Sequence, residues 1–310
     1  MLEVENTAMK NEGRNPHPKR DDFLEKRIRG LISDQAYSTE MGRRMFADAR
    51  RLQVDYFKDS LLHIDNPNLI HKSTQKLLHD LAITTNAHIV EGEEILKKLP
   101  KGRPIFTETN HYSGYKLTAI DQSELGVNYP EIDEIFPFPF FYAPMIPVAD
   151  VLGNYLYDAH LVLPGELRKI QEGAGLLIVP EDDGSFNSIK RETEKMISRH
   201  PNSLIVIFPE GGTSGKRNMG GPYDMDHFHG GSLAIAEALG VPVIPVYQRF
   251  NPYSGFEIGI LEPVDFSHAP KTEDLGVKKA YFAELAETTR AKMQQHLSQR
   301  KQSADVPSNS

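Results

Sequence analysis

Apolar positions near the start of the chain recur at three- and four-residue steps: Phe23, Ile28, Leu31 and Ile32, then Met45, Leu52, Tyr56 and Leu61. That spacing lines up one stripe of a helix and predicts an N-terminal helical segment over 21–100. Pro67 breaks the pattern. A second helix is expected to start near Ser73 as its N-cap and to run through Leu77, Leu78, Leu81 and Ile89 to Leu96. Pro100-Lys101-Gly102 then stops it. After Gly102 the text changes to short apolar runs with longer segments between them, the alternation expected of α/β layers. Strands are predicted at 104–107, 175–179, 204–208 and 243–246. Between the last two, Gly231 to Leu239 reads as a small-residue helix closed by Gly240. The segment 277–300 reads as an amphipathic helix packed on the surface. The fold class expected is α/β, a mixed sheet flanked by helices over 101–300, preceded by the helical segment. Ligands of such sheets bind beyond the carboxyl ends of the strands, so the polar loops there are where chemistry is expected.

Composition narrows the function classes. The 310 residues are 39% hydrophobic and 25% charged, which excludes wholesale disorder, although 1–20 and 301–310 are polar and expected to be disordered. With 35 Lys and Arg against 43 Asp and Glu the net charge is -8, which argues against nucleic acid as a partner. There is no cysteine, so disulfides, thiolate metal ligands and cysteine nucleophiles drop out together. The first twenty residues carry Glu3, Glu5 and Glu12 and no apolar core, unlike a secretory or transit peptide, so a cytoplasmic location is expected. The run 136–149 is the most apolar, but its four prolines forbid a spanning helix. It reads as buried strand and turn, or as an exposed apolar surface that touches an apolar chain or a membrane, which makes the protein peripheral.

Two loops carry candidate chemistry. The first strand leads into Asn110-His111-Tyr112-Ser113-Gly114-Tyr115-Lys116. A histidine there can take a proton from a substrate hydroxyl at neutral pH. The third strand leads into Phe208-Pro209-Glu210-Gly211-Gly212-Thr213-Ser214-Gly215-Lys216-Arg217. Its glycines free main-chain N–H groups to converge on an anion, Thr213 and Ser214 add donors, and Lys216 and Arg217 add charge. The spacing is not that of a Walker A loop. Asp224, Asp226, His227 and His229 match no metal-ligand pattern, and no metal is expected.

In order, the histidine loop, a middle strand ending in Glu181 and Asp182, the Phe208-Pro209-Glu210-Gly211 block and the Gly240-Val241-Pro242-Val243-Ile244-Pro245-Val246 strand resemble the glycerolipid acyltransferase family. That family includes lysophosphatidic acid and glycerol-3-phosphate acyltransferases. The resemblance spans roughly 104–262. It implies an O-acyltransferase that moves a fatty acyl group from a thioester donor, acyl-CoA or acyl-carrier protein, to a glycerol-phosphate or lysophospholipid hydroxyl, with no bound cofactor. It implies His111 as general base, with Glu210 ordering its loop or touching the acceptor. Asn110, Ser113, Gly211, Gly212, Thr213, Ser214, Lys216 and Arg217 would bind substrate. The family's first block is N-H-x-S-x-x-D, and Lys116 stands where its aspartate orients the histidine. Glu108, Asp182 and Asp183 are candidate replacements. The helical segment before the α/β part is similar in layout to soluble plastid glycerol-3-phosphate acyltransferases. Lys116 also suits a non-catalytic lipid or acyl-carrier binding protein on the same fold. A thioester hydrolase would use the same histidine on water, although a G-x-S-x-G elbow is absent.

Overall fold

The computed structural model describes residues 61–110 apart from 85 and 100–102, with scattered positions over 48–60 and 169–173. It also describes 127–129, 186–199, 201, 204–210, 224–251 and 254–304. The elements in order are α1 (Pro67–Thr84), β1 (His88–Glu91), α2 (Glu93–Leu96), β2 (Ile105–Thr109) and β3 (Val127–Tyr129). There follow α3 (Phe186–Arg199), β4 (Leu204–Ile207), α4 (Gly231–Leu239), β5 (Val243–Asn251), β6 (Gly255–Ile260) and α5 (Leu275–Ala304).

The strands form one six-stranded sheet in the order β1-β6-β5-β2-β4-β3. At its centre β2 runs parallel to both β4 and β5, and at one edge β1 runs parallel to β6. The β5–β6 hairpin and the β3–β4 pair are antiparallel, so the sheet is mixed, as the sequence pattern implied.

Period-two alternation splits the core into two layers. Ile105, Leu204, Val206, Ile244, Val246, Ile258 and Ile260 face one side and bury Ala82 of α1 and Ile95 of α2. Phe106, Ile205, Ile207, Val243 and Tyr247 face the other, against Leu233, Ile235 and Ala236 of α4 and Phe282, Ala286, Met293 and Leu297 of α5. A sheet covered on both faces is why β4 reads as an uninterrupted apolar run, Leu-Ile-Val-Ile. α4 ends as its sequence suggests. Gly240 adopts φ 64°, and the N–H groups of Gly240 and Val241 bond back to the carbonyls of Glu237 and Ala236, a Schellman closure.

The N-terminal expectation needs correction. Pro67 does interrupt the helical pattern, but the next helix begins at Pro67 itself, with Asn66 Oδ1 accepting the Leu69 N–H. Ser73 therefore lies inside α1, where its hydroxyl meets Asp59, and not at a cap. Ile89, assigned to the same helix by its spacing, belongs to β1. The helix stops because Asn86 turns into the left-handed region at φ 47°, while the Ala87 N–H closes onto the Ala82 carbonyl. The segment 21–100 thus supplies a sheet strand as well as helices. At the other end α5 continues to Ala304, into the stretch expected to be disordered. The strand expected at 175–179 and the apolar run 136–149 lie outside the described residues. Among the described residues no helix is long and apolar enough to cross a membrane.

Candidate functional site

The two motif loops leave neighbouring strands at the same edge of the sheet. β2 and β4 pair in parallel with Glu108 opposite Ile207, so Asn110 and Glu210 both follow the carboxyl ends of adjacent strands. Both residues are fully buried. His111, Ser113, Lys116, Gly211, Gly212, Thr213, Ser214, Lys216 and Arg217 lie outside the described residues, as do Asp182 and Asp183. What can be built is the frame from which their loops depart.

Asn110 extends the β2–β5 ladder with its side chain. Its Oδ1 accepts the Gln248 N–H at 2.8 Å, its Nδ2 donates to the Gln248 carbonyl at 3.1 Å, and Gln248 Nε2 donates to the Asn110 carbonyl at 2.7 Å. An amide is suited to this because it offers donor and acceptor side by side, as a peptide group does. The position that hands the chain on to His111 is therefore fixed by three hydrogen bonds in a sealed environment.

Glu108, two residues earlier, points to the opposite layer from Ile105, toward α4. Its Oε1 accepts the Ser232 hydroxyl at 2.6 Å. Ser232 sits in the first turn of α4, whose Gly230 N-cap makes no side-chain capping bond, so a buried carboxylate faces the positive end of that helix. Glu210 is held by a different neighbour. Its Oε2 accepts the Asp226 N–H at 2.7 Å, and the carbonyl of Pro209 beside it accepts the His229 N–H at 2.8 Å. Glu210 is thereby tied to segment 225–229 at the point where its loop departs.

Segment 225–229 that grips this loop is in turn gripped by α5. Glu287 accepts the Phe228 N–H at 3.1 Å, pairs with His227 Nδ1 at 2.6 Å and receives Arg290 Nε at 2.8 Å. Burial raises the energy of the charged Glu287 carboxylate. The hydrogen bonds from Arg290 and the Phe228 N–H, with the charges of Arg290 and His227, outweigh it and hold the carboxyl below the ordinary glutamate range.

Beside the α4 N-terminus opens a groove of about 710 Å³. Ala234 and Ala238 of α4 and Phe282 of α5 make its apolar wall, while Lys278 and Lys279 supply cationic groups. His229 and Gly230 also line it, so the groove adjoins the segment that holds Glu210. A second cavity of about 440 Å³ lies between β1, β6 and α5 and is lined by Glu91, Glu94, Glu262 and Asp265 with Lys292 and His296. Its carboxylates would repel an anionic substrate. Among the described residues, no group of three His, Asp or Glu side chains converges to hold a metal ion.

Ser232 and Gln248 were not singled out from sequence, and Asp226 was weighed there only as a metal ligand. Each acts on a residue far away in the chain, 124 positions for Ser232 with Glu108 and 138 for Gln248 with Asn110, and no local pattern marks them.

The chain matches no family model and no curated protein. Among solved structures it is similar to the crystal structure of the 1-acyl-sn-glycerophosphate (LPA) acyltransferase, PlsC, from Thermotoga maritima. The sequence identity is 16% and the TM-score 0.40, covering 80% of this chain and 97% of that chain.

Proposed function

We propose that the protein is an O-acyltransferase that moves a fatty acyl group from a thioester donor, acyl-CoA or acyl-carrier protein, to the hydroxyl of a glycerol-phosphate or lysophospholipid acceptor. The observation that carries this reading is the adjacency of β2 and β4. The two sequence blocks that resemble glycerolipid acyltransferases end neighbouring parallel strands, at the sheet edge where α/β folds bind ligands.

His111 takes the proton of the acceptor hydroxyl, whose oxygen attacks the thioester carbonyl carbon. The C–S bond breaks and the departing thiolate recovers the proton from the imidazolium. Main-chain N–H groups at Gly211 and Gly212 stabilise the oxyanion, and Lys216 and Arg217 neutralise the acceptor phosphate. Asn110 fixes the entry to the histidine loop, and Ser113, Thr213 and Ser214 donate hydrogen bonds to the acceptor. Lys116 disfavours an imidazolium, so a carboxylate has to offset it. Glu108, buried on the same strand end three residues before His111, is the nearest in sequence. The groove beside α4 offers apolar surface for an acyl chain.

The test is free-thiol release from acyl-CoA and acyl-carrier-protein donors, with glycerol 3-phosphate, with lysophosphatidic acid, and with no acceptor. Release that depends on an acceptor and yields an acylated product is the expected result. Equal release without acceptor makes the protein a thioester hydrolase. No release, with measurable lipid or carrier-protein binding, makes it a binding protein on this fold.

A further inference from the structure

Segment 225–229 has no helix or strand of its own, so its main-chain groups must find partners elsewhere. They do so alternately on two sides. The N–H groups of Met225 and Phe228 go to α5, to Gln294 Oε1 at 2.7 Å and Glu287 Oε1 at 3.1 Å. Those of Asp226 and His229 go to the motif loop, to Glu210 Oε2 and the Pro209 carbonyl. Arg290 completes the α5 side, with Nη1 near the Met225 carbonyl at 3.4 Å and Nε on Glu287 at 2.8 Å. Residues 287, 290 and 294 are three and four apart, which puts them on one face of the helix. The segment is a strap, tied to α5 by one set of amides and to Glu210 by the other.

We infer that Glu287, Arg290 and Gln294 are positioning residues for acyl transfer, fixing Glu210 through the strap 225–229; this rests on the acyltransferase reading above. The carboxylate at 287 is the centre of the arrangement because it accepts from the Phe228 N–H, His227 and Arg290 together. A glutamine there keeps the shape but turns an NH2 group toward one of those three donors. The strap then loosens, and Glu210 loses its place although it and its own loop are unaltered.

The experiment uses the full chain as wild type, Glu287→Gln, Glu210→Gln and the double variant. It measures acceptor-dependent acyl transfer and amide exchange at Asp226 and Phe228. Glu287→Gln is expected to lower kcat by about tenfold, the scale of a hydrogen bond to a charged group. Exchange at both amides should quicken by a similar factor, with β2, β4 and β5 unchanged. In the Glu210→Gln background the second substitution should cost nothing more, because the carboxylate that the strap holds at 210 is already gone. Losses that multiply, or unaltered exchange, overturn the inference, since a merely structural helix contact would behave that way. Should Glu287→Gln not fold, Gln294→Ala, which removes the Met225 contact together with the exposed one to Ser298 on the same helix, is expected to act in the same direction with a smaller effect, and no effect overturns the inference. A wild type without acyl transfer overturns the acyltransferase reading and this inference with it. Transfer in wild type with multiplying losses overturns the inference alone.

Discussion

Arg249 and Glu257 stand opposite each other in the β5–β6 hairpin, Nε to Oε2 at 2.6 Å, with side chains only 6% and 9% exposed. Burial works against a charged Glu257. Hydrogen bonds from Arg249, Ser254 and Asn251, together with the arginine's charge, outweigh it and set the carboxyl below the ordinary glutamate range. Because the folded value is depressed, the pair's stabilisation is fully present above the unfolded glutamate pKa, about 4.3, and is lost as pH falls through the folded value. Arg249→Met, which leaves a buried charge without its partner, should cost about 3–5 kcal/mol in denaturant unfolding at pH 7. Glu257→Gln should flatten the acid limb of the stability curve. An acid limb as steep as that of wild type would show that Glu257 does not titrate as its surroundings require.

At the scale of elements, legibility depended on whether the signal was local. The buried strands β4 and β5 announced themselves as apolar runs, and α4 by its small residues and the closing Gly240. β1 was hidden because Ile89 falls into step with the helical spacing of Leu77 and Leu81, while the decisive residues are Asn86 and Gly92, both in the left-handed region. β6 was hidden because Gly255 and Gly259 dilute its apolar pattern. Gly259 is there because a Cβ would lie 2.0 Å from the Tyr247 ring, which crosses over it to bring its hydroxyl to Glu91. Gly92 carries both constraints at once: φ 80°, and a Cβ that would lie 1.9 Å from the Ile260 carbonyl oxygen. Gly92→Ala should therefore cost at least about 1–3 kcal/mol from backbone strain alone. It should also loosen β1 from β6, seen as faster amide exchange at 88–91. Unchanged stability would mean that β1 is not held where it is described. The site frame followed the same rule. Asn110 and Glu210 were legible from motifs that run along the chain, whereas Ser232, Gln248 and the α5 contacts exist only once the sheet has formed.

For the whole molecule, the strand order is what turns separate sequence blocks into one candidate site. β5 and β4 flank β2, so Asn110, the last described residue before His111, follows a strand that lies between the strand of Gln248 and the strand that leads to Glu210. α4 meets the edge with Ser232, and α5 closes the back of it through the strap. Lys278 and Lys279, with Glu237, line the groove near this edge. The central claim is that His111 performs proton transfer at this edge although Lys116 occupies the aspartate position of the family pattern. The most direct measurement compares wild type with His111→Ala for acceptor-dependent transfer and, separately, for donor binding. Loss of about 10²–10⁴ in kcat with donor affinity unchanged is the predicted result. Transfer that survives the substitution at the wild-type rate would contradict the claim.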